Sequence, residues 1–143
     1  MAIAQAVCNT FKSELLGAVH DFDSGSGQVF KLALYTSAAN LSAATTAYTV
    51  TGEVANSGQY AATGGILLSQ TVSLDGSVGI VDFADLSFTG VTLTARGALI
   101  YNTSASSKSV CVLDFGADKT ATSGTFTIVF PANTSAAAIL RIA

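Results

Sequence analysis

The chain has no tryptophan, one proline, one histidine, one methionine and two cysteines among its 143 residues. Only 10% of those residues are charged, against roughly 25% in an average soluble domain. Six Lys and Arg face nine Asp and Glu, so no basic surface is available for phosphates, and nucleic acid is excluded as a partner. Apolar runs of about 18 residues, the length of a transmembrane helix, are missing, so no membrane partner is expected. The mean hydropathy of +0.53 comes instead from dispersed Ala, Val, Leu and Ile. Disorder is excluded as well, because half of the chain is apolar and the net charge is only -3. A lone histidine and two cysteines leave few parts for catalysis, and neither an enzyme nor a cofactor is expected.

Ser and Thr make up roughly a quarter of the sequence, well above ordinary usage. With so few charges, hydroxyls, amides and glycine must cover the solvent faces. Such a surface hardly depends on charge, so its contacts withstand added salt. Weak net charge also favours association, which points to burial of much of this surface in an assembly. Cys8 and Cys111 lie far apart in the sequence, and two cysteines do not make a disulfide framework. They read as buried free thiols in a chain that folds in a reducing compartment. The first residues lack a basic stretch followed by a long apolar one, so no secretion signal is expected. Without such a signal, the three N-x-[ST] triplets at Asn40, Asn102 and Asn133 carry no weight.

The segment Ala2 to about Val19 predicts a helix, with Val7, Phe11, Leu15 and Val19 forming an apolar stripe that Cys8 and Leu16 broaden. A Gly/Ser turn follows at 24–27. Strands are predicted at Gln28–Tyr35, Ile66–Leu74, Ser77–Phe83, Val91–Asn102, Val110–Phe115, Thr125–Phe130 and Ala137–Ile142. In the clearest of them, Val91, Leu93, Ala95, Gly97, Leu99 and Tyr101 take one face. Val110–Phe115 pairs back on it as a hairpin, and Pro131 stops the strand at 125–130. The stretch Thr36–Tyr60 reads as a long loop with a turn of helix and a short edge strand near Tyr48–Val54; loops of this length are usually functional. The spacing gives a mainly β fold: an antiparallel β-sandwich, jelly-roll-like, with one N-terminal helix. Residues 1–23 form the helical segment and 24–143 the sandwich, in one globular unit.

Few side chains combine into recognisable chemistry. His20 precedes Asp21 and Asp23, a combination that serves general-base or metal chemistry, but no G-x-S-x-G elbow accompanies it. All three residues lie within four positions beside a flexible turn, so His20 reads as a helix-end or surface residue and the carboxylates as a turn cap. Asp75-Gly76 is a turn dipeptide, and Asp82 and Asp85 lack the calcium-loop run. Gly25-Ser26-Gly27 opens like a dinucleotide fingerprint, but the third glycine is missing and a strand follows. Arg96 fits either a partner contact or an internal pair with Asp82, Asp85 or Asp114. Aromatics do not interleave with basic residues, so no base-stacking platform is present.

Arg96-Gly97-Ala98-Leu99-Ile100-Tyr101-Asn102 and Val110-Cys111-Val112-Leu113-Asp114-Phe115-Gly116-Ala117-Asp118-Lys119 resemble a family of small tailed-bacteriophage virion proteins. Phe30–Thr36, Tyr48–Gly58 and Gly124–Arg141 are similar to the same family. The resemblance implies a capsid cement, or decoration, protein. Such a protein is a sandwich bound outside the shell of the major capsid protein, made in the host cytoplasm and located on the virion surface. No catalytic motif defines the family. A cement protein bridges neighbouring capsomers and is expected to be a homo-oligomer, dimer or trimer. The N-terminal helix and the 36–60 stretch are the segments suited to reach several subunits, and Phe11, Leu15, Tyr48 and Arg96 are the candidate contacts. The alternative within the same class is a neck, tail or fibre-associated component, although the heptads of a shaft are missing. A carbohydrate-binding or hydrolytic sandwich would need exposed aromatics beside carboxylates in a cleft.

Overall fold

The structure, a computed structural model, describes residues 2–143. Its elements in chain order are β1 (Ala6–Val7), α1 (Asn9–Leu16), β2 (Phe30–Tyr35), β3 (Gly65–Ile66), β4 (Thr71–Asp75), β5 (Val78–Asp82), β6 (Leu86–Asn102), β7 (Lys108–Ile128) and β8 (Leu140–Ile142). They form two antiparallel sheets, a five-stranded one in the order β1-β7-β6-β2-β3 and a three-stranded one in the order β4-β5-β8. The fold is mainly β, a sandwich with one N-terminal helix, as the strand spacing predicts.

The long β6–β7 hairpin is the backbone of the molecule. Val91, Leu93, Ala95, Gly97, Leu99 and Tyr101 are all buried, matching the predicted face. From Gly97 to Asn102 the opposite face is buried too, because β2 pairs alongside and both sides of the sheet are covered. On one face, Phe30 stacks on Phe22 at 4.4 Å, and Phe83 packs against both from the end of β5 and reaches Phe130 at 5.7 Å. This aromatic cluster joins the two sheets. On the other face lies the 36–64 segment. The strands predicted at 110–115 and 125–130 are one 21-residue strand, β7. They read as two because residues 115–118 bulge out between the pairs Gly97↔Asp114 and Ala95↔Lys119, which breaks the alternation.

The helix is much shorter than the predicted Ala2–Val19. The backbone of Cys8 donates to Val110 O at 3.0 Å and that of Asn9 to Ala43 O at 2.8 Å, so the start of the chain joins the sheet. Cys8 is extended at the helix N-cap, and Ala18 takes φ 60 just past its end. Ile3, Cys8 and Phe11 are buried, whereas Leu16 does not broaden the stripe, being 91% exposed. Tertiary pairing has overridden a helical pattern of weak helix formers. Within the segment expected to be helical, β1 is instead a strand of the main sheet.

Both thiols lie in this seam and are free, with Val7 opposite Cys111 in the ladder. Burial pushes the Cys111 thiol up to about 12 and raises that of Cys8 as well. Thiol-reactive probes are therefore expected to leave the folded protein unlabelled. Both cysteines should label in denaturant, with native labelling slower by on the order of a thousandfold, following the unfolded fraction. Fast stoichiometric labelling of either cysteine without denaturant would contradict this packing.

Candidate functional site

The chemistry-bearing side chains fall into two internal clusters and one open groove. His20 belongs to the first cluster; it follows the end of α1, as the sequence suggests, but is buried and not on the surface. Its ring lies 5.0 Å from that of Phe11. Asn102 fixes its tautomer. Asn102 Oδ1 accepts from Ser104 N, so Nδ2 is the donor side, giving one proton to Gln28 Oε1 at 2.8 Å and one to His20 Nδ1 at 3.2 Å. His20 therefore carries its proton on Nε2 and donates it to Glu14 Oε1 at 3.2 Å. Glu14 Oε2 in turn meets Lys108 Nζ at 2.8 Å. The histidine fastens the helix end to the hairpin turn, a role that needs an asparagine 82 residues away and that local spacing cannot reveal.

Burial pushes the Glu14 carboxyl upward, but the hydrogen bonds from Lys108 and His20 outweigh it and hold it below its ordinary value of 4.5. A folded value below the unfolded one means that the stabilisation is complete above that ordinary value. It is lost as pH falls through the folded value. Glu14→Gln is expected to flatten the acid limb of a stability–pH curve by less than about 1 kcal/mol, the scale of a part-solvated pair. An unchanged acid limb would count against the assignment.

The second cluster gathers all four tyrosines of the sequence around the 36–64 segment. Glu53 accepts from Tyr60 Oη at 2.8 Å, from Thr63 N at 2.7 Å and from Tyr48 Oη. Tyr101 Oη donates to Thr63 O and Tyr35 Oη to Thr49 O at 2.6 Å. Tyr48 also stacks on Tyr101 at 5.0 Å. The segment contains neither the helical turn nor the edge strand expected of it. Isolated bridges at Tyr35↔Glu53 and Ala47↔Lys108 tie it to the sheet, and its own Ala39, Leu41, Val54 and Tyr60 are buried. It lies flat on the sheet instead of projecting, and the hydroxyl of Tyr48 is turned to Glu53.

The remaining expected residues are readily placed. Arg96 Nε meets Asp114 Oδ1 at 3.1 Å, the internal pair that sequence offered against a partner contact. Asp114 is held below the usual carboxylate range by the Gly116 backbone N–H and by Arg96, which pins the bulge at 115–118. Asp21 and Asp23 accept backbone N–H groups of their own turn at 2.9 and 2.7 Å.

Phe11 and Leu15 reach the open feature. Between α1 and the three-stranded sheet runs an apolar groove of about 540 Å³, whose walls include Val7, Phe11, Leu15, Leu16, Val72 and Ile142. Strand alternation puts Val72, Leu74, Val81, Leu140 and Ile142 on one face of that sheet. Val81 and Leu140 pack on the core, while Val72, Leu74 and Ile142 remain 55%, 74% and 62% exposed. A second hollow, about 550 Å³ in the curve of β7, is more open and mixes Phe126 with Lys119 and threonine hydroxyls. The first groove is the better candidate because apolar surface concentrates there on a preformed frame. Comparison of the chain with protein-family models, with curated proteins and with solved structures finds no match to any of them.

Proposed function

We propose that this protein is a structural virion component that works by adhesion, and specifically a bacteriophage capsid cement protein seated on the outside of the major capsid protein shell. The groove between α1 and the three-stranded sheet carries the proposal: it offers exposed apolar side chains on a rigid two-sheet frame. Two further features support it. His20, both cysteines and all four tyrosines are engaged in internal contacts, and the remaining surface is rich in hydroxyls and poor in charge. The resemblance of the segments at 96–102 and 110–119 to phage virion proteins supports a virion setting for that adhesion. Contacts repeated over a shell need only modest affinity each, since copies held on one lattice act together.

Purified particles of the phage that carries the gene supply the test. The chain should be present in hundreds of copies and appear as density outside the head shell in particle images. A handful of copies would place it instead on the neck, tail or fibre, and absence from particles would overturn the virion assignment altogether.

A further inference from the structure

The sheet edges differ in how they are protected. β1 and β3 are two residues each, and β8 is three residues with Arg141 at its middle. The stretch of β7 beyond β1 is interrupted by the bulge at 115–118 and carries Asp114, Asp118 and Lys119. β4, by contrast, is a regular five-residue edge, Thr71-Val72-Ser73-Leu74-Asp75, whose one charge is the terminal Asp75 and which carries no lysine, arginine, proline or bulge. Natural edges are usually guarded by one of those devices, and an unguarded one is a template for another strand.

The β4–β5 turn decides which groups point outward. Asp75 faces Val78 across the two-residue loop Gly76-Ser77, with Gly76 at φ 64, and the strands continue as Leu74↔Gly79, Ser73↔Ile80 and Val72↔Val81. The residues that close such a loop exchange hydrogen bonds, and bonded and non-bonded pairs alternate from there. Ser73 therefore bonds inward to β5, while the N–H and C=O of Val72 and of Leu74 point away from the sheet. Among the described residues no loop or side chain bonds them.

We propose that two copies of this chain pair through β4, antiparallel about a two-fold axis at Ser73. Val72 then exchanges both backbone hydrogen bonds with Leu74 of the second copy, and Leu74 with Val72, so every outward group on the edge is satisfied by the same edge. The side chains agree: Val72 meets Leu74 on the apolar face, Ser73 meets Ser73, and Thr71 meets Asp75. No like charges stand opposite one another. Each Asp75 lies four residues along the strand from its counterpart, roughly 13 Å, beyond the Debye length at physiological salt. The two three-stranded sheets become one of six strands, and the grooves beside Leu16 and Ile142 join into one apolar trough. One strand and a few apolar side chains per copy fall at the small end of interface sizes, so the dimer is reversible and dilution-sensitive. This pairing stands independently of the virion proposal: it is read on the purified chain, and the other on particles.

Sedimentation of the purified chain should show a monomer–dimer equilibrium, and Leu74→Lys should weaken it at least tenfold while leaving the melting curve unchanged. The geometry adds a positional signature. Across a non-hydrogen-bonded pair the Cα atoms lie about 4.5 Å apart, within disulfide range. Ser73→Cys should give a covalent dimer rapidly under mild oxidation, with the native cysteines buried; Thr71→Cys, which faces Asp75, should not. A wild-type chain that stays monomeric up to millimolar concentration would overturn the proposal. So would a dimer indifferent to Leu74→Lys, or cross-linking of Thr71→Cys as fast as that of Ser73→Cys.

Discussion

Gly64→Ala is expected to lower the stability of the protein by about 4 kcal/mol or more, enough to leave a chain of this size largely unfolded. Gly64 has φ +86, and a Cβ built there would lie 1.9 Å from the carbonyl oxygen of Leu32 and 2.6 Å from its carbonyl carbon. Leu32 is the centre of β2, fully buried and paired with Ile100 on one side and Gly65 on the other. Neither partner can yield: the obstacle is backbone in the middle of the main sheet, and Gly64 itself donates to Ala61 O at 2.9 Å. Gly76→Ala is the control. Its φ is +64, also left-handed, but nothing lies within 4 Å of its added Cβ. Its cost is conformational alone, about 1–2 kcal/mol. Urea unfolding midpoints separate the two effects. Equal losses at both positions would show that the close approach at Leu32 contributes nothing.

The contrast also marks what the sequence can and cannot disclose. Asp75-Gly76 announces its turn, because two residues suffice to define it. Gly64 follows Thr63, and nothing nearby says that this turn presses on a strand 32 residues earlier. The β6 face from Val91 to Tyr101 was legible for the same local reason, since alternation belongs to one strand. The helix was over-read because Val7 and Phe11 satisfy a four-residue period whether or not Val7 pairs with Cys111. Of the candidate contacts, Phe11 and Leu15 do line the groove, whereas Arg96 and the Tyr48 hydroxyl are committed to Asp114 and Glu53. The sequence did suggest an acidic partner for Arg96. Glu53 itself is not legible in the sequence, because its donors Tyr48, Tyr60 and Thr63 follow no regular spacing and only the folded segment brings them together. The apolar face of the three-stranded sheet is hidden for a related reason: Val72 and Leu74 look like ordinary core positions, and only the fold shows that the face they share with Val81 and Leu140 is covered in part.

Tyr60→Phe should cost about 2–3 kcal/mol, far more than the loss of a typical hydroxyl, because two buried bonds depend on one oxygen. Tyr60 Oη accepts from Leu34 N at 2.8 Å and donates to Glu53 Oε1 at the same distance. Phenylalanine keeps the ring on Phe88 at 5.0 Å but strands the Leu34 amide on a part of β2 that β3 does not reach. Thr63 raises the stakes. It is β-branched at φ 83, and it stays there because Glu53, Tyr101 and Lys31 each hold one of its polar atoms. Loosening Glu53 therefore releases the strain as well as the bond. Glu53→Gln combined with Tyr60→Phe should cost less than the sum of the two alone, with a coupling of about 1 kcal/mol or more; strict additivity would sink the network. The phenols add a test by pH. Burial, foremost, pushes Tyr101 up to about 12 and the other three higher still. Above pH 10 the unfolded tyrosines ionise while the folded ones do not, so stability should fall as pH rises past that value. Absorbance should record no tyrosinate until the protein unfolds, and gradual ionisation of a folded chain near pH 10 would place those hydroxyls in solvent.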